Sequence, residues 1–172
     1  MYTPQEDSFF FAEFLENYFS NLKDKNIKYL DMGTGSGILA QTALKKGIPQ
    51  KNIFTVDIDK EAVTNAKKLG FNSVQSDLFQ NINEKYDLIT FNAPYLPQNK
   101  HDKKTDTTGG EKGDETAVEF IKQAKKHLNT NGKAFLLISS HTPIKTIEKF
   151  KPEIKKEKRL FFEKLKILEF KN

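Results

Sequence analysis

Short apolar runs and segments with helical periodicity alternate along most of this 172-residue chain. The apolar runs have the length of buried strands and lie at residues 27–33, 52–59, 72–77, 86–91 and 133–140. Helical patterns separate them, for example between Ala62 and Leu69, where Asp59 can cap the helix. Alternation of this kind forms a parallel sheet with helices on both faces. The sequence therefore predicts an α/β fold built on a doubly wound, mostly parallel sheet.

The two ends of the chain depart from this alternation. Residues 3–6 have the form of a capping box, with Pro4 at the first helical position, so a helix is predicted over residues 1–22. The runs around 158–161 and 165–170 leave no room for a crossover helix and should pair as a C-terminal antiparallel hairpin. With that hairpin the sheet becomes seven-stranded, and residues 1–172 are predicted to form one domain.

The segment before the last parallel strand is less regular. A long helix is predicted from Ala117 to Leu128, and the pair Asn131-Gly132 indicates a turn between that helix and the strand. Upstream, residues 98–113 are long and polar, which favours a mobile substrate loop that becomes ordered when a target docks.

Composition limits the function classes. The chain has no cysteine, which excludes disulfides and thiolate metal sites, and its three histidines lack zinc-like spacing, so no metal site is expected. No signal peptide or membrane-spanning run is present, and a soluble cytoplasmic protein is expected. Residues 141–172 hold ten of the 28 basic and five of the 23 acidic side chains, which accounts for the whole net charge of +5. That segment either faces an acidic partner or is the solvated side of the hairpin.

The stretch DMGTGSG, residues 31–37, falls where the first strand turns into the next helix. Open α/β sheets bind ligands at such turns. The spacing differs from that of a dinucleotide loop, because Ile38 stands where a third small residue is needed, and no Lys follows to make a triphosphate cradle. Asp31 at the strand end would repel a phosphate, so a cationic or hydroxyl-bearing ligand is favoured.

Two further acids follow the next two strands. Asp57 lies 20 residues beyond Gly37 and is placed to accept the hydroxyls of a ribose. Asp77 could accept a hydrogen bond from an exocyclic amine of a base. Glycine turns and helix-capping acids are each common. A glycine turn and two acids placed in this order at the ends of successive strands are much less expected by chance.

FNAPYLP, residues 91–97, ends the fourth strand with a carboxamide. The side-chain oxygen of Asn92 can accept a hydrogen bond, and Pro94 restricts the residue before it, so the carbonyl of Ala93 is held rigidly beside that oxygen. The two acceptors match the two hydrogens of an –NH₂ group, and Tyr95 offers a flat face to a planar amide or base. In isolation this stretch fits a proline-containing loop after a strand. Behind a cofactor-type glycine loop, it indicates catalysis at a nitrogen that needs positioning more than a strong base.

The D-x-G-x-G-x-G form of residues 31–37 resembles the first motif of the class I S-adenosylmethionine-dependent methyltransferases, which have a Rossmann-like fold. The resemblance implies that the glycine loop packs against the methionine part of S-adenosylmethionine, that Asp57 holds the ribose, and that Asp77 lies by the adenine. The residues it places around this cofactor are Thr3, Pro4, Ser8, Asp31, Gly33, Thr34, Gly35, Gly37, Asp57, Ile58, Asp77, Leu78 and Asn92.

Residues 92–95 resemble the [N/D]-P-P-Y motif of methyltransferases that act on amino groups, with Ala93 in place of the usual proline. This likeness implies catalytic roles for Asn92, Ala93, Pro94 and Tyr95. Because the contact expected from Ala93 is a backbone carbonyl, alanine can provide it with less rigidity.

Over nearly its whole length the chain is similar to the HemK-like glutamine methyltransferases, particularly their short archaeal and eukaryotic branch. The likeness lies in YTPQEDSFFF, NAPYLP, GGEKGDE and FFEKLKIL. It implies N5-methylation of the glutamine in the Gly-Gly-Gln loop of a class I translation release factor. It also implies a heterodimer with a small zinc-binding activator subunit.

The sequence offers one physical hint of such a partner. The short third strand should form a sheet edge, where Phe71 and Val74 either leave apolar surface open to strand addition or pack within the domain. Two other functions remain open. An adenine N6-methyltransferase acting on DNA or RNA uses the same asparagine chemistry, and a non-catalytic scaffold could keep the fold.

Overall fold

A computed structural model describes residues 5–94 and 114–172. Five α-helices are present in these ranges: α1 Glu6–Asn21, α2 Ile38–Lys45, α3 Lys60–Lys68, α4 Glu115–Ala124 and α5 Ile144–Glu148. The strands are β1 Tyr29–Met32, β2 Ile53–Asp57, β3 Asn72–Gln75, β4 Tyr86–Asn92, β5 Leu128–Ser139, β6 Glu153–Arg159 and β7 Lys164–Lys171.

The seven strands form one sheet in the order β3-β2-β1-β4-β5-β7-β6. Strands β1 to β5 are parallel to their neighbours, and β7 runs antiparallel to both β5 and β6. The predicted fold class and C-terminal hairpin are confirmed, and β3 is an edge strand as expected. Strand order reverses between β1 and β4, and ligands of open α/β sheets bind outside the carboxyl ends of strands at such a point.

A hydrophobic core covers each face of the sheet. On one face α4 packs Phe120 and Ile121 against Phe91 and Leu136. On the other face α1 and α2 cover the sheet, and the buried aromatic residues of α1 are Phe10, Phe11 and Phe19. Both faces of the central strands are thus buried, which explains why β1 and β5 read as nearly continuous apolar runs.

Turn chemistry sets the ends of two helices as predicted. The Asp59 carboxylate accepts a hydrogen bond from the backbone N–H of Glu61 at 2.8 Å and caps α3. Gly70 follows α3 with φ +86°, a conformation that ends helices and favours glycine. Gly47 follows α2 in the same way, with φ +92°.

Four boundaries differ from the sequence prediction. Helix α1 has Gln5 as its N-cap rather than Thr3, and Gln5 makes no side-chain cap. Leu128 does not end α4 but begins β5, where it pairs with Tyr86. The Asn131-Gly132 pair lies inside β5, in an irregularity where pairing jumps from Leu128 to Lys133. Strand β6 ends at Arg159, so Phe161 lies in the hairpin turn and not in a strand.

The predicted mobile loop, residues 98–113, lies outside the described residues. No helix within residues 5–94 and 114–172 combines the length and the apolar character that crossing a membrane requires.

Candidate active site

The turn between β1 and α2 lies at the carboxyl edge of the sheet and packs closely on β4. Gly33 has φ +63°, and a Cβ added there would lie 2.9 Å from the Phe91 ring, so this position accepts only glycine without a shift. Gly37, with φ +79°, is the N-cap of α2. The N–H of Thr34 donates to the carbonyl of Val56 at 3.0 Å, which ties the loop to β2. Gly35 lies between these residues with φ +50°.

Asp31 lies at the base of this loop and is fully buried. Its carboxylate accepts hydrogen bonds from the hydroxyls of Thr34 at 2.7 Å and Thr90 at 3.2 Å. Thr90 also shares a hydrogen bond of 2.6 Å with the hydroxyl of Tyr29. Burial is the main cause that raises the pKa of Asp31 to about 7, with a smaller contribution from the nearby charge of Asp57. A positively charged ligand would favour its ionised form.

Asp57, at the end of β2, has both carboxylate oxygens engaged by the backbone. One oxygen accepts the N–H of Gly35 at 2.8 Å and the other accepts the N–H of Asp59 at 2.9 Å. Burial raises the pKa of this carboxyl as well. Each oxygen of a carboxylate has a second lone pair, so a ligand hydroxyl can still be accepted. Asp57 therefore fastens the glycine loop, a role that the sequence did not indicate.

Three other predicted cofactor residues line the same edge. Ile58 directly follows β2 and is half exposed. Asp77 is exposed and accepts a hydrogen bond from Nε2 of Gln80 at 3.3 Å. Leu78 has φ +46° and packs its side chain against the core on the α4 face, so only part of it faces outward.

Asn92 is the last residue of β4, and its carboxamide is oriented by α1. Its Nδ2 donates to the carboxylate of Asp7 at 3.2 Å and to the hydroxyl of Ser8 at 3.4 Å. Its Oδ1 is buried and has no hydrogen-bond partner within the described residues. A buried acceptor without a partner costs about 1 to 3 kcal/mol, so this oxygen marks a place where a donor from a ligand would bind favourably.

Asp7 was missed at the sequence level. It is 5% exposed, and its other oxygen accepts the N–H of Ser8 at 2.6 Å. The hydroxyl of Ser8, predicted to contact the cofactor, also donates to Asp7 at 3.2 Å. The only signal in the sequence was an acid in the first turn of a predicted helix, where acids are common.

The remaining predicted residues are only partly described. Ala93 is 1% exposed and Pro94 is partly buried. Tyr95, Thr3 and Pro4 lie outside the described residues, so their predicted roles stay predictions.

The described residues fit a ligand with both cationic and hydroxyl groups. Two carboxyl groups, Asp31 and Asp57, accept hydrogen bonds from Thr34 and Gly35 of the glycine turn. Register brings the ends of β1, β2 and β4 together, since Met32 pairs with both Val56 and Phe91. The free acceptor of Asn92 thus lies on the same edge as the glycine loop.

The sequence profile of the methyltransferase small domain matches residues 11–161 of the chain. This chain belongs to the methyltransferase small domain family. It is therefore a methyltransferase, and membership of the family implies that S-adenosylmethionine is the methyl donor.

Curated relatives of this chain are named for different acceptors. A protein of Methanocaldococcus jannaschii, provisionally named a protein N5-glutamine methyltransferase, is 35% identical over 98% of this chain and 90% of its own length. A release factor glutamine methyltransferase of Streptococcus pneumoniae is 37% identical over 49% of this chain and 32% of its own. A ribosomal RNA small subunit methyltransferase C of Haemophilus influenzae is 34% identical over 67% of this chain and 33% of its own.

Solved methyltransferases share the fold. The Thermus thermophilus 16S rRNA N2 G1207 methyltransferase, solved with S-adenosylmethionine and guanosine, superposes with a TM-score of 0.66 at 16% identity. The match covers 98% of this chain and 44% of that one. At this identity the likeness supports the fold alone.

Proposed function

We propose that this methyltransferase transfers a methyl group to a side-chain amide nitrogen, most specifically N5 of the glutamine in the Gly-Gly-Gln loop of a class I translation release factor. The observation that carries the proposal is the Oδ1 atom of Asn92, buried and without a partner among the described residues at the end of β4. An acceptor in that state fits an –NH₂ group, which brings hydrogens to donate.

Asn92 acts as a positioning group in this proposal. Asp7 and Ser8 occupy the Nδ2 side of the carboxamide, so the oxygen side is the one presented to the substrate. The backbone carbonyl of Ala93 supplies the second acceptor, and Tyr95 supplies a flat surface. Holding both amide hydrogens fixes the direction of the nitrogen lone pair, and such positioning can supply up to roughly 7 to 11 kcal/mol of a bimolecular barrier.

S-adenosylmethionine, when bound, supplies an electrophilic methyl group on a sulfonium. The residues that would hold it are the glycine loop from Gly33 to Gly37, the Asp57 carboxylate toward the ribose, and Ile58, Asp77 and Leu78 toward the adenine. The buried carboxyl of Asp31 supports the loop through Thr34. The amide nitrogen gains positive charge as it is methylated, so it loses its proton readily and no strong base is required.

The choice of a protein glutamine rests on relatives. The M. jannaschii relative matches nearly the whole chain, and its name specifies a glutamine N5 acceptor. The S. pneumoniae relative specifies the release factor, although it matches only half of this chain. Bound to this chain, the acceptor glutamine would enter beside Asn92.

A small zinc-binding activator subunit is the second part of the proposal, and the edge strand β3 is its docking place. A cleft of about 490 Å³ lies beside β3 and is lined by Phe54, Val74, Ile82 and Tyr86 among others. Val74 is 42% exposed, which fits strand addition, whereas Phe71 is 4% exposed and belongs to the core. Of the two alternatives, packing within the domain therefore holds for Phe71.

A nucleic-acid acceptor is the alternative function. The H. influenzae relative is named for ribosomal RNA, and an exocyclic base amine would also suit the Asn92 oxygen. The basic C-terminal segment could contact phosphates. The full-length match of the glutamine methyltransferase favours the protein acceptor.

One experiment tests these possibilities together. Labelled S-adenosylmethionine is offered with the folded release factor, with structured RNA, with duplex DNA and with no acceptor, in the presence and absence of a zinc-binding partner. Mass spectrometry should find a single added methyl on the loop glutamine. Methylation of RNA or DNA alone would establish the alternative. Cofactor binding without transfer to any acceptor would indicate a scaffold.

A further inference from the structure

We propose that the tip of the β6–β7 hairpin, residues 160–163, docks the folded protein substrate through Phe161 and Phe162. The occupant is an apolar patch with an acidic rim on that substrate, remote from the methylated glutamine. This inference rests on the proposed function, because it assumes a protein acceptor. Its basis is the exposure of the two side chains, which reaches 94% for Phe161 and 87% for Phe162.

The two aromatic side chains form a small cluster of their own. Their ring centroids are 5.1 Å apart and the ring planes meet at 65°. Neighbouring aromatic residues exposed to this degree lie outside the core and contribute little to folding, whereas Phe buries a large apolar area when it enters an interface. Binding a partner is the function that such a pair fits.

The tip is held in a defined place. The N–H of Leu160 donates to the carbonyl of Glu163 at 2.8 Å, which closes the turn. Ser140 is joined to Lys164 by two hydrogen bonds, of 2.8 Å and 3.0 Å. Leu160 packs against the same core cluster as α1. The two Phe side chains are therefore presented on an anchored turn, which lowers the entropy cost of binding.

Strand register places the tip on the same sheet edge as Asn92. Asn92 pairs with Leu137 of β5, and Leu137 pairs with Ile167 of β7. Phe162 lies five residues before Ile167, toward the carboxyl edge, and β7 is two strands from β4. At about 3.4 Å per residue and about 4.8 Å between strands, the tip is roughly 20 Å from Asn92.

The distance between Asn92 and the tip determines how large a substrate must be to contact both places. An extended chain covers at most about 3.3 to 3.6 Å per residue, so about six residues are needed to reach from Asn92 to the tip. A peptide with two residues on each side of the acceptor glutamine would not reach. A folded protein would contact both places at once.

The charged residues beside the tip indicate which charges the rim of the partner's apolar patch would carry. Arg159 immediately precedes the tip, is exposed and forms no ion pair within the part of the chain that the structure describes. The charge of Lys158, one residue earlier, acts on Glu13 of α1. Lys164, which follows it, pairs with Glu157 at 2.6 Å. Acidic side chains around an apolar patch would complement the cation of Arg159 on the β6 side.

A protein fits better than a nucleic acid. Bases bind stacking platforms that offer open ring faces. The steep angle between Phe161 and Phe162 turns the edge of one ring toward the face of the other, so the pair does not offer two parallel faces to successive bases.

The test compares the wild-type chain with a Phe161→Ser/Phe162→Ser variant. The matched control is Ile154→Ser, which removes an apolar side chain that is 50% exposed on β6 of the same hairpin but away from the tip. Steady-state methylation is measured on the folded release factor, on a five-residue peptide centred on its loop glutamine, and on structured RNA. Size-exclusion chromatography is run on each protein.

We expect KM for the folded factor to rise at least tenfold in the double variant, while kcat at saturation and the rate on the peptide stay within twofold of wild type. Ile154→Ser should match wild type, and Arg159→Glu should raise KM for the folded factor, less so at high salt. An unchanged KM in the double variant would overturn the inference. A fall in kcat or in the peptide rate equal to the loss on the factor would also overturn it.

Two other results would reject the proposed occupant. Loss confined to RNA methylation would assign the tip to nucleic acid, and a wild-type dimer that dissociates in the double variant would assign it to a second copy of the chain. If wild type methylates neither the factor nor the peptide, the proposed function itself has failed. If wild type methylates the factor and the variant does so with the same KM, only the docking inference has failed.

Discussion

The carboxylate of Asp7 accepts a hydrogen bond from Nδ2 of Asn92 at 3.2 Å, across 85 positions of sequence. A carboxylate ion can only accept, so the contact fixes which end of the carboxamide is nitrogen and leaves Oδ1 for the substrate. Helix α1 thus sets the chemical direction of a side chain on β4.

Replacement of this carboxylate should slow methyl transfer. We expect Asp7→Ala to lower kcat by about 10- to 100-fold, because a loosened Asn92 misplaces the acceptor nitrogen. The dissociation constant for S-adenosylmethionine, measured by calorimetry, should change little. Glu6→Ala is the control, since Glu6 is an exposed acid in the same helical turn. Equal losses of turnover and cofactor affinity in Asp7→Ala would mean that the residue supports the fold and not the amide.

Asn92→Ala should have a larger effect. Loss of one preorganised polar contact at a reacting group lowers kcat by about 100-fold or more. Cofactor affinity should be retained, and single-turnover methylation measures the chemical step. Wild-type turnover in this variant would remove the basis of the proposed mechanism.

Asp57→Ala should weaken binding of S-adenosylmethionine by about 1 to 3 kcal/mol, because acceptors for the ligand are lost. The glycine loop should also loosen, since the N–H of Gly35 loses its partner. Calorimetry gives the affinity. The control is Asp59→Ala, which removes the cap of α3 and should lower the melting temperature with little effect on affinity. Unchanged affinity in Asp57→Ala would reject its role.

Glycine substitutions separate backbone strain from side-chain contact. Gly47→Ala should cost about 1 to 2 kcal/mol of unfolding free energy from strain alone, since φ is +92° and nothing lies within 4 Å of the added methyl. Gly33→Ala should cost more, because its methyl would also meet the Phe91 ring at 2.9 Å. Urea unfolding measures both. Phe91→Leu should recover part of the difference in a Gly33→Ala background, and equal costs for the two glycines would contradict the contact.

The raised pKa of Asp31 predicts that the free energy of unfolding depends on pH. Its folded pKa of about 7 lies above the ordinary value of 3.8, so between those values the folded state holds a proton that the unfolded state has lost. Stability therefore falls as pH rises from 4 to 7. The full penalty, about 4 kcal/mol, is present above pH 7.

Asp31→Asn should remove this penalty. We expect the variant to be more stable than wild type at pH 8 and to differ little from it at pH 4, as measured by urea unfolding. The difference between the two proteins isolates Asp31 from the surface carboxyls, whose contributions are common to both. A difference that does not change with pH would contradict a raised pKa.

Much of this architecture follows from local sequence patterns. The apolar runs, together with the helix-capping residues Asp59, Gly47 and Gly70, specify the order of strands and helices along the chain. The alternation of strands and helices in turn specifies a parallel sheet. The positions of the strand ends then predict that Asp31, Asp57 and Asn92 lie at one edge of the sheet. No tertiary contact has to be known for this prediction. These parts of the fold were predictable because each depends on residues close together in sequence.

Other features depend on tertiary packing. The start of β5 at Leu128 is set by pairing with Tyr86, which overrides a helical pattern that continues through that position. The Asn131-Gly132 pair retains a positive φ at Asn131, of 63°, but pairing on both sides includes it in the strand. The contact between Asp7 and Asn92 arises only when α1 docks on the sheet. No periodicity in either segment could have indicated it.

The placement of Asp7 on α1 has a consequence for access to Asn92. Phe10, Phe11, Leu15 and Phe19 anchor this helix with exposures of at most 2%, so it cannot swing away without exposing much of one core. The part of α1 that contacts the Asn92 carboxamide is therefore as rigid as the protein interior. Turnover should therefore not wait on any opening of α1.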